Sequence, residues 1–172
     1  MREIETERLL LRKVRREDAA DIYAHYANDP EVTKYMTWNV HESIDTTNAV
    51  MDFWLGDYDK PECYRWGIVR RADQEFMGMI DVVGYHEGIP VIGYCSGRAY
   101  WGNGFMTEAL NAVLKQLKED GFHMALIEAV RENIGSNRVI QKAGGIPTGS
   151  HEETWPQKNH QTFMINSYRI DL

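Results

Sequence analysis

One stretch of the chain, residues 92–117, constrains its fold more than any other. It reads IGYCSGRAYWGNGFMTEALNAVLKQL, which is typical of a strand, a turn that contains Gly102 and Gly104, and an amphipathic helix. The start of a helix presents backbone N–H groups without acceptors and carries a partial positive charge. Because neither glycine has a side chain, a phosphate can approach this backbone closely. The stretch therefore predicts a phosphate-binding turn at residues 102–107.

The remaining segments predict a mixed α/β fold. We expect strands at residues 6–14, 64–70, 75–85, 91–96, 123–130, 148–153 and 162–170. We expect helices at residues 16–28, 30–34, 43–55 and 133–143, in addition to the helix after the glycine turn. Strands joined by short turns should be antiparallel, whereas the strand–helix–strand unit at 91–130 should contain one parallel pair. The prediction is a central, mostly antiparallel sheet with flanking helices.

Three finer expectations concern burial and capping. The helix at residues 43–55 should turn an apolar set inward, namely Ile44, Val50, Met51 and Trp54. The strand at 123–130 is apolar without clear alternation, which predicts burial on both faces between parallel neighbours. Asn133 should cap the helix at 133–143, and Gly144 and Gly145 should end it.

Composition and charge narrow the class of protein. With 172 residues, of which 43% are hydrophobic and 26% charged, the chain fits a single domain at 1–172. The net charge of −7 argues against a nucleic-acid partner, and no apolar run approaches the ~20 residues of a membrane helix. The N-terminus lacks the apolar core of a signal peptide, and Cys63 and Cys95 are far apart in sequence. We expect a cytoplasmic protein without a disulfide, either a monomer or a homodimer.

Three well-known ligand motifs fail in this sequence. A dinucleotide-binding fingerprint needs a small residue where Thr107 stands, and a mononucleotide P-loop needs lysine where Asn103 stands. His41-Glu42 and His151-Glu152 lack the second histidine of a zinc-binding HExxH motif, and no close cysteine pair exists, so no metal is expected. Taken alone, the glycine turn is better explained as an ordinary tight turn.

A second pattern, NIGSNRVIQKAGG at residues 133–145, gives the glycine turn a more specific meaning. Together with YWGNGFMTEAL at 100–110, it resembles the two cofactor motifs of the GNAT superfamily of N-acetyltransferases. The nearer match is the branch of ribosomal-protein N-terminal acetyltransferases, the Rim type, whose opening also resembles ETERLLLRKVRREDAADIYAHYANDPEVTKYM at residues 5–36. The resemblance implies a GNAT-type acyl-CoA N-acyltransferase fold with a splayed parallel strand pair, and acetyl-CoA as co-substrate.

The resemblance also implies a role for each matching position. Acetyl-CoA would lie where the strand at 91–96 splays from the strand at 123–130. The main chain of residues 94–96 would pair with the pantetheine arm, and the turn would hold the pyrophosphate. Asn133 would bind the pantetheine arm, and residues 137–138 would lie near the adenine. The implied cofactor-binding residues are Tyr94, Cys95, Ser96, Arg98, Trp101, Gly102, Asn103, Gly104, Phe105, Met106, Thr107, Asn133, Ser136, Asn137 and Arg138.

The sequence departs from the family pattern at three positions. Ala99 stands where the superfamily often has a glutamine or arginine that contacts the pyrophosphate. Ile140 stands where many members have a tyrosine acid, and Val91 where the branch often has a glutamate. In the Rim branch, a serine at the position of Ser136 is then the proposed acid, although its hydroxyl could simply cap a helix. Asp81 is the candidate base, with a purely structural role as the alternative.

The sequence does not identify the acceptor of the acetyl group. Tyr35, Trp38 and Trp155 could line its pocket or belong to the core. The acceptor would be a primary amine, either a protein N-terminal α-amine or a small molecule. Direct attack on the thioester needs no enzyme nucleophile, so Cys95 is better explained as a small strand residue. A non-catalytic acyl-CoA-binding sensor on the same fold is the alternative function.

Overall fold

The computed structural model describes all 172 residues and contains one eight-stranded mixed sheet. The strands are β1 (Ile4–Glu5), β2 (Leu9–Arg12), β3 (Arg65–Arg70), β4 (Phe76–His86), β5 (Ile89–Ser96), β6 (Met124–Val130), β7 (Ile146–Trp155) and β8 (Gln161–Asp171). Their order across the sheet is β1-β2-β3-β4-β5-β6-β8-β7. Only β5 and β6 pair in parallel, and every other neighbouring pair is antiparallel. The predicted mixed sheet with one parallel pair is confirmed.

Five α-helices flank the sheet. They are α1 (Ala19–Ile22), α2 (Pro30–Thr33), α3 (Ile44–Asp57), α4 (Phe105–Glu119) and α5 (Ile134–Lys142). The predicted helix at 16–28 changes geometry along its length, because a 3₁₀ turn precedes α1 and a π-helical turn, Tyr23–Ala27, follows it. None of the helices combines the length and the apolar character that a membrane span requires.

The helices cover the two faces of the sheet unequally. Against one face packs α4, whose buried residues Leu110, Val113 and Leu117 join Ile80 and Ile92 of the central strands. Against the other face pack the helical segments before β3, which form a second buried cluster. Its members include Ile22, Tyr26, Met51, Val69, Phe76 and Met79. The central strands β4 and β5 are therefore the part of the sheet that both layers share.

Three sequence predictions are corrected by the structure. Ile44 is exposed at the first position of α3 and does not face inward, although Met51 of the same helix is fully buried. Strand β6 is buried mainly on one face, since Ala125 and Ile127 are buried while Glu128 is exposed. Its parallel pairing with β5 covers only two residues, so it is not enclosed as a continuous parallel strand would be. The predicted strand at 6–14 is shortened to β2, and β1 before it was not predicted.

Candidate active site at the splayed strands

The central feature of the site is a gap between β5 and β6. The two strands pair only at Val91 with Leu126 and at Ile92 with Ile127. Beyond Ile92, β5 stays paired with β4 up to Ser96 but has no strand on its other edge. The chain thus has the splayed pair that the family resemblance implies.

The hydrogen-bonding pattern of β5 shows which backbone groups face this gap. The amide of Gly97 donates to the carbonyl of Met77 in β4 at 3.0 Å. Because backbone groups alternate between the two edges of a strand, Cys95 also points its amide and carbonyl toward β4. Tyr94 and Ser96 then point theirs into the gap. The Ser96 carbonyl accepts a hydrogen bond from the Trp101 indole Nε1 at 2.9 Å, so Trp101 covers the end of this free edge.

The side chain of Tyr94 crosses from β5 to the first turn of α5. Its hydroxyl lies 3.0 Å from the Ser136 hydroxyl and donates to the Ser136 carbonyl at 3.2 Å. Burial raises the pKa of Tyr94 well above its ordinary value, so this phenol stays protonated at neutral pH. The contact fixes the Ser136 hydroxyl against β5, next to the free strand edge.

The glycine turn has the geometry of an anion-binding site. Gly102 and Gly104 have φ angles of 77° and 78°, the left-handed region that favours glycine. The backbone amides of residues 102–107 donate to no acceptor in the protein. The Asn103 side chain donates to the Trp101 carbonyl at 3.0 Å, which braces the turn from within. These amides open α4, where the helix dipole adds to their attraction for a negative charge.

Glu108, in the first turn of α4, ties this turn to the connection between β1 and β2. Its carboxylate accepts hydrogen bonds from the Thr6 hydroxyl at 2.6 Å, the Arg8 amide at 2.9 Å and the Arg8 Nε at 2.7 Å. Burial alone would raise the pKa of Glu108, but these hydrogen bonds lower it below its ordinary value. The sequence alone did not predict these contacts, because Thr6 and Arg8 lie about a hundred residues away in the chain.

A cavity of about 470 Å³ borders the glycine turn. Its lining is entirely polar or glycine and comes from the β1–β2 connection, α4 and the end of α5. The lining residues are Thr6, Glu7, Gly104, Thr107, Glu108, Asn111 and Lys142. The cavity is a shallow depression open to solvent, and it includes Gly104 and Thr107 of the predicted cofactor set.

Two asparagines near the start of α5 have different roles, since Asn133 caps the helix and Asn137 is buried. Asn133 caps the helix as predicted, since its side-chain oxygen accepts from the Ser136 amide at 3.1 Å. Asn137 is buried, and its amide group donates to the carbonyls of Val130 and Asn133. Its side-chain oxygen accepts from Asn166 at 3.0 Å and Tyr168 at 2.7 Å. Every polar atom of the Asn137 side chain is thus engaged within the protein, and its place near the adenine end of the site stays a prediction.

The remaining predicted cofactor-binding residues include two arginines, which lie in different parts of the structure. The Arg98 guanidinium donates from Nε to the Asp29 carboxylate at 2.6 Å, at the cap of α2, so it is tied to the helical layer before β3. Arg138 is exposed on α5 and makes no ion pair. Phe105 and Met106 are half-buried in the first turn of α4, where their amides belong to the free set described above.

Asp81 and Cys95 lie on the face of β4 and β5 that the helices before β3 cover. Asp81 pairs with Arg65, whose Nε lies 3.2 Å from its carboxylate and whose other nitrogen reaches Asp57 at 3.3 Å. Burial raises the pKa of Asp81 although Arg65 acts in the opposite direction. Burial also raises the pKa of Cys95 to about 12, so its thiol is protonated at neutral pH.

Tyr26 belongs to the same face and was not singled out by the sequence. It lies in the π-helical turn after α1, is 1% exposed, and its hydroxyl has no hydrogen-bond partner. Its pKa is raised well above the ordinary value, first by burial and then by electrostatic interaction with the Cys95 and Asp81 side chains. A π-helical turn is a frequent feature of functional sites, but no sequence signal distinguishes Tyr26 from the other apolar positions of this helix.

The three predicted acceptor-pocket aromatics do not form one group. Trp38 packs edge-on against Tyr26, with 6.4 Å between ring centroids. Tyr35 instead packs against the cluster that holds Trp155 and Phe163, whose rings lie 4.4 Å apart. Trp155 is buried, and its indole N–H has no partner. The aromatic residues therefore border two different parts of the molecule.

The turn between β7 and β8 contacts the end of α2 and the connection between α2 and α3. Gln157 donates to the Thr37 carbonyl at 2.6 Å, and Lys158 donates to the Thr33 carbonyl at 2.9 Å. This turn is thus held over the segment that carries Tyr35 and Trp38. No group of three or more histidine, cysteine, aspartate or glutamate side chains is arranged to hold a metal ion.

Comparison with known proteins agrees with this geometry. Residues 8–146 match the model of the acetyltransferase (GNAT) domain family. The uncharacterized N-acetyltransferase YoaA of Bacillus subtilis is 34% identical, over 97% of this chain and 95% of its own. A GNAT-family acetyltransferase structure from Bacillus anthracis is 26% identical, with a TM-score of 0.85 over 99% of this chain and 98% of that chain. The chain therefore belongs to the GNAT acetyltransferase family.

A more distant likeness concerns the fold alone. The structure of RimL, a ribosomal L7/L12 alpha-N-protein acetyltransferase in complex with coenzyme A, is 17% identical with a TM-score of 0.87. It covers 99% of this chain and 98% of that chain. Family membership defines the protein as an acetyl-CoA-dependent N-acetyltransferase.

Proposed function

We propose that the protein transfers the acetyl group of acetyl-CoA to a primary amine by direct attack in a ternary complex. The observation that carries the proposal is the gap beyond Ile92, where a free strand edge lies close to the free amides of residues 102–107. A pantetheine arm can pair with such an edge as an added strand, and a pyrophosphate can bind the amides at the helix start. The thioester would then lie beside Tyr94 and Ser96, where an amide can polarise its carbonyl.

The acceptor that we propose is a protein N-terminal α-amine. The motifs at residues 100–110 and 133–145 resemble those of the Rim branch, and RimL, a neighbour in fold, acts by its description on a ribosomal protein. Chemistry favours the same acceptor, because only a neutral amine can attack. An α-amine titrates near ~8 and a lysine near ~10.4, so a far larger share of α-amines is neutral at pH 7.

Two side chains take catalytic roles in this proposal, and a third takes none. Asp81 is the candidate base, because a carboxylate with a raised pKa accepts a proton more readily than an ordinary one. Ser136 is the candidate acid, since its hydroxyl is fixed by Tyr94 beside the site of the thioester. Cys95 takes no part as a nucleophile, because its thiol is protonated at neutral pH. Holding the two substrates in line would supply most of the rate enhancement.

The proposal is tested by steady-state thiol release from acetyl-CoA with a panel of amines. A peptide that contains an internal lysine should be acetylated when its α-amine is free, and not when that α-amine is already blocked. Turnover only with polyamines or amino acids would overturn the protein acceptor. Tight acetyl-CoA binding without turnover on any amine would favour the non-catalytic sensor. The Cys95→Ala variant should keep wild-type turnover, and mass spectrometry should detect no acetylated enzyme.

Ser136→Ala is expected to lower kcat about tenfold and to leave the Kd for acetyl-CoA within twofold. The effect is modest for an acid because a thiolate, with a thiol pKa near ~8.5, leaves without much help. The check is a pair of measurements, kcat by thiol release and Kd by calorimetry. Ser167→Ala, which removes a hydroxyl bonded to Glu128 on β6, is the matched control and should change neither value. A loss confined to Kd would make Ser136 a binding residue only.

A further inference from the structure

The glycine turn offers backbone donors to a phosphate but no cation from its own loop. Position 99 is alanine, and the neighbouring Arg98 is engaged by Asp29 in the helical layer before β3. Two carboxylates lie close by, since Glu7 and Glu108 both border the cavity next to Gly104. A pyrophosphate at residues 102–107 would therefore need a positive charge from elsewhere in the chain.

Arg8, from the connection between β1 and β2, places its guanidinium against this turn. One terminal nitrogen donates to the Asn103 carbonyl at 3.0 Å. The guanidinium carbon lies 4.5 Å from the centroid of the Phe105 ring. The second terminal nitrogen, Nη2, would lie 3.6 Å from a Cβ at Gly104. The Arg8 side chain thus lies next to Asn103, Gly104 and Phe105, whose backbone amides belong to the free set.

The guanidinium of Arg8 is held in place yet keeps donors to spare. Its Nε donates to Glu108, and one terminal nitrogen donates to Asn103. Of the five N–H groups of an arginine, those on Nη2 have no acceptor in the protein. The side chain is 42% exposed, so a ligand can reach it. A fixed, partly open guanidinium with free N–H groups is well suited to bind a phosphate.

We propose that Arg8 is a phosphate-binding residue of the acetyl-CoA site and supplies to the pyrophosphate the cation that position 99 lacks. The inference rests on the proposed function only for the placement of acetyl-CoA at residues 102–107. Arg8 acts in two ways. It donates directly to a phosphate oxygen, and it neutralises the Glu108 carboxylate that would otherwise repel the ligand.

The test compares Arg8→Gln with wild type on three acetyl donors: acetyl-CoA, 3′-dephospho-acetyl-CoA and acetyl-pantetheine. The variant should raise KM about tenfold for the first two donors, as expected for the loss of one charge-assisted hydrogen bond. It should leave kcat/KM for acetyl-pantetheine, which has no pyrophosphate, within twofold of wild type. That unchanged value also shows that the variant is folded.

Two further variants separate the direct contact from charge compensation. In the Arg8→Gln/Glu108→Gln double variant, the repelling carboxylate is gone but the phosphate donor is still missing, so KM for acetyl-CoA should stay at least fivefold above wild type. Arg2→Ala is the matched control, because Arg2 also pairs with a glutamate of α4, Glu119, but at the far end of the helix. Its kinetic constants should equal those of wild type.

Each contrary result overturns a defined part of the inference. An unchanged KM for acetyl-CoA in Arg8→Gln, with wild-type turnover intact, rejects the role of Arg8 while the proposed function stands. An equal loss on acetyl-pantetheine makes Arg8 a structural residue. A penalty that disappears with 3′-dephospho-acetyl-CoA assigns Arg8 to the 3′-phosphate and not to the pyrophosphate. If KM for acetyl-CoA returns to the wild-type value in the double variant, Arg8 acts only by neutralising the Glu108 carboxylate.

Discussion

Replacing Gly104 with valine is expected to weaken acetyl-CoA binding about thirtyfold or more, as expected when two charge-assisted hydrogen bonds are lost. Gly104 has a φ of 78° and immediately precedes α4. A β-branched residue is strained in this conformation, so the backbone should relax and turn the amides of residues 102–107 away from a common point. The free energy of unfolding should fall by only about 1–2 kcal/mol, because no atom lies closer than 3.6 Å to the new Cβ.

The other end of the same helix offers a matched control for Gly104→Val. Gly121 follows α4, has a φ of 95° and has open space around its Cβ position. Gly121→Val should therefore cost a similar free energy of unfolding and leave the Kd for acetyl-CoA unchanged. Calorimetry gives the two Kd values, and urea denaturation gives the two stabilities. An unchanged Kd for Gly104→Val, or an equal loss for Gly121→Val, would contradict a phosphate site at this turn.

The sequence was sufficient to predict the parts of the site that lie within one short stretch. The strand, the glycine turn and α4 follow each other directly, so spacing and periodicity indicated both the elements and the parallel pair. The cap at Asn133 is equally local, because the side chain bonds a backbone amide three residues later. From the strand at 64–70 onward, the predicted strands also follow one another as expected, since turns and alternation mark most of the chain.

Contacts between distant segments could not be predicted in the same way. Glu108 bonds Thr6 and Arg8 across about a hundred residues, and Asp81 pairs with Arg65 from a neighbouring strand. Nothing in the local pattern distinguishes a glutamate that stabilises a helix dipole from one that anchors a distant segment. The limited pairing of β5 with β6 depends on where each strand diverges, and it left β6 less enclosed than its apolar sequence suggested.

Asn133 and Asn137 show, within one motif, the difference between a local contact and contacts with a distant segment. Both are asparagines one helical turn apart, and the family resemblance gave both a cofactor role. The structure leaves Asn133 partly exposed at the cap but buries Asn137 beneath β8. Position on the helix alone could not reveal this, because the partners Asn166 and Tyr168 come from the last strand of the chain.

Asn137→Ala is expected to lower the free energy of unfolding by about 3 kcal/mol, because it leaves buried polar groups without partners. Asn166 and Tyr168 each lose an acceptor, and the carbonyls of Val130 and Asn133 each lose a donor. For a chain of this size the melting temperature should fall by about 9 °C. The Kd for acetyl-CoA, measured where the variant is still folded, should stay within about threefold of wild type.

A double-mutant cycle with Tyr168→Phe tests this structural role of Asn137. Removing the Tyr168 hydroxyl also removes one of the buried donors that Asn137→Ala would leave without an acceptor. The two substitutions together should therefore cost less free energy of unfolding than the sum of their separate costs. Additive costs would mean that the 2.7 Å contact between the two side chains contributes little to stability. If Asn137→Ala instead kept the stability of wild type and lost affinity for acetyl-CoA, Asn137 would be a cofactor-binding residue. That result would contradict the structural role that its burial indicates.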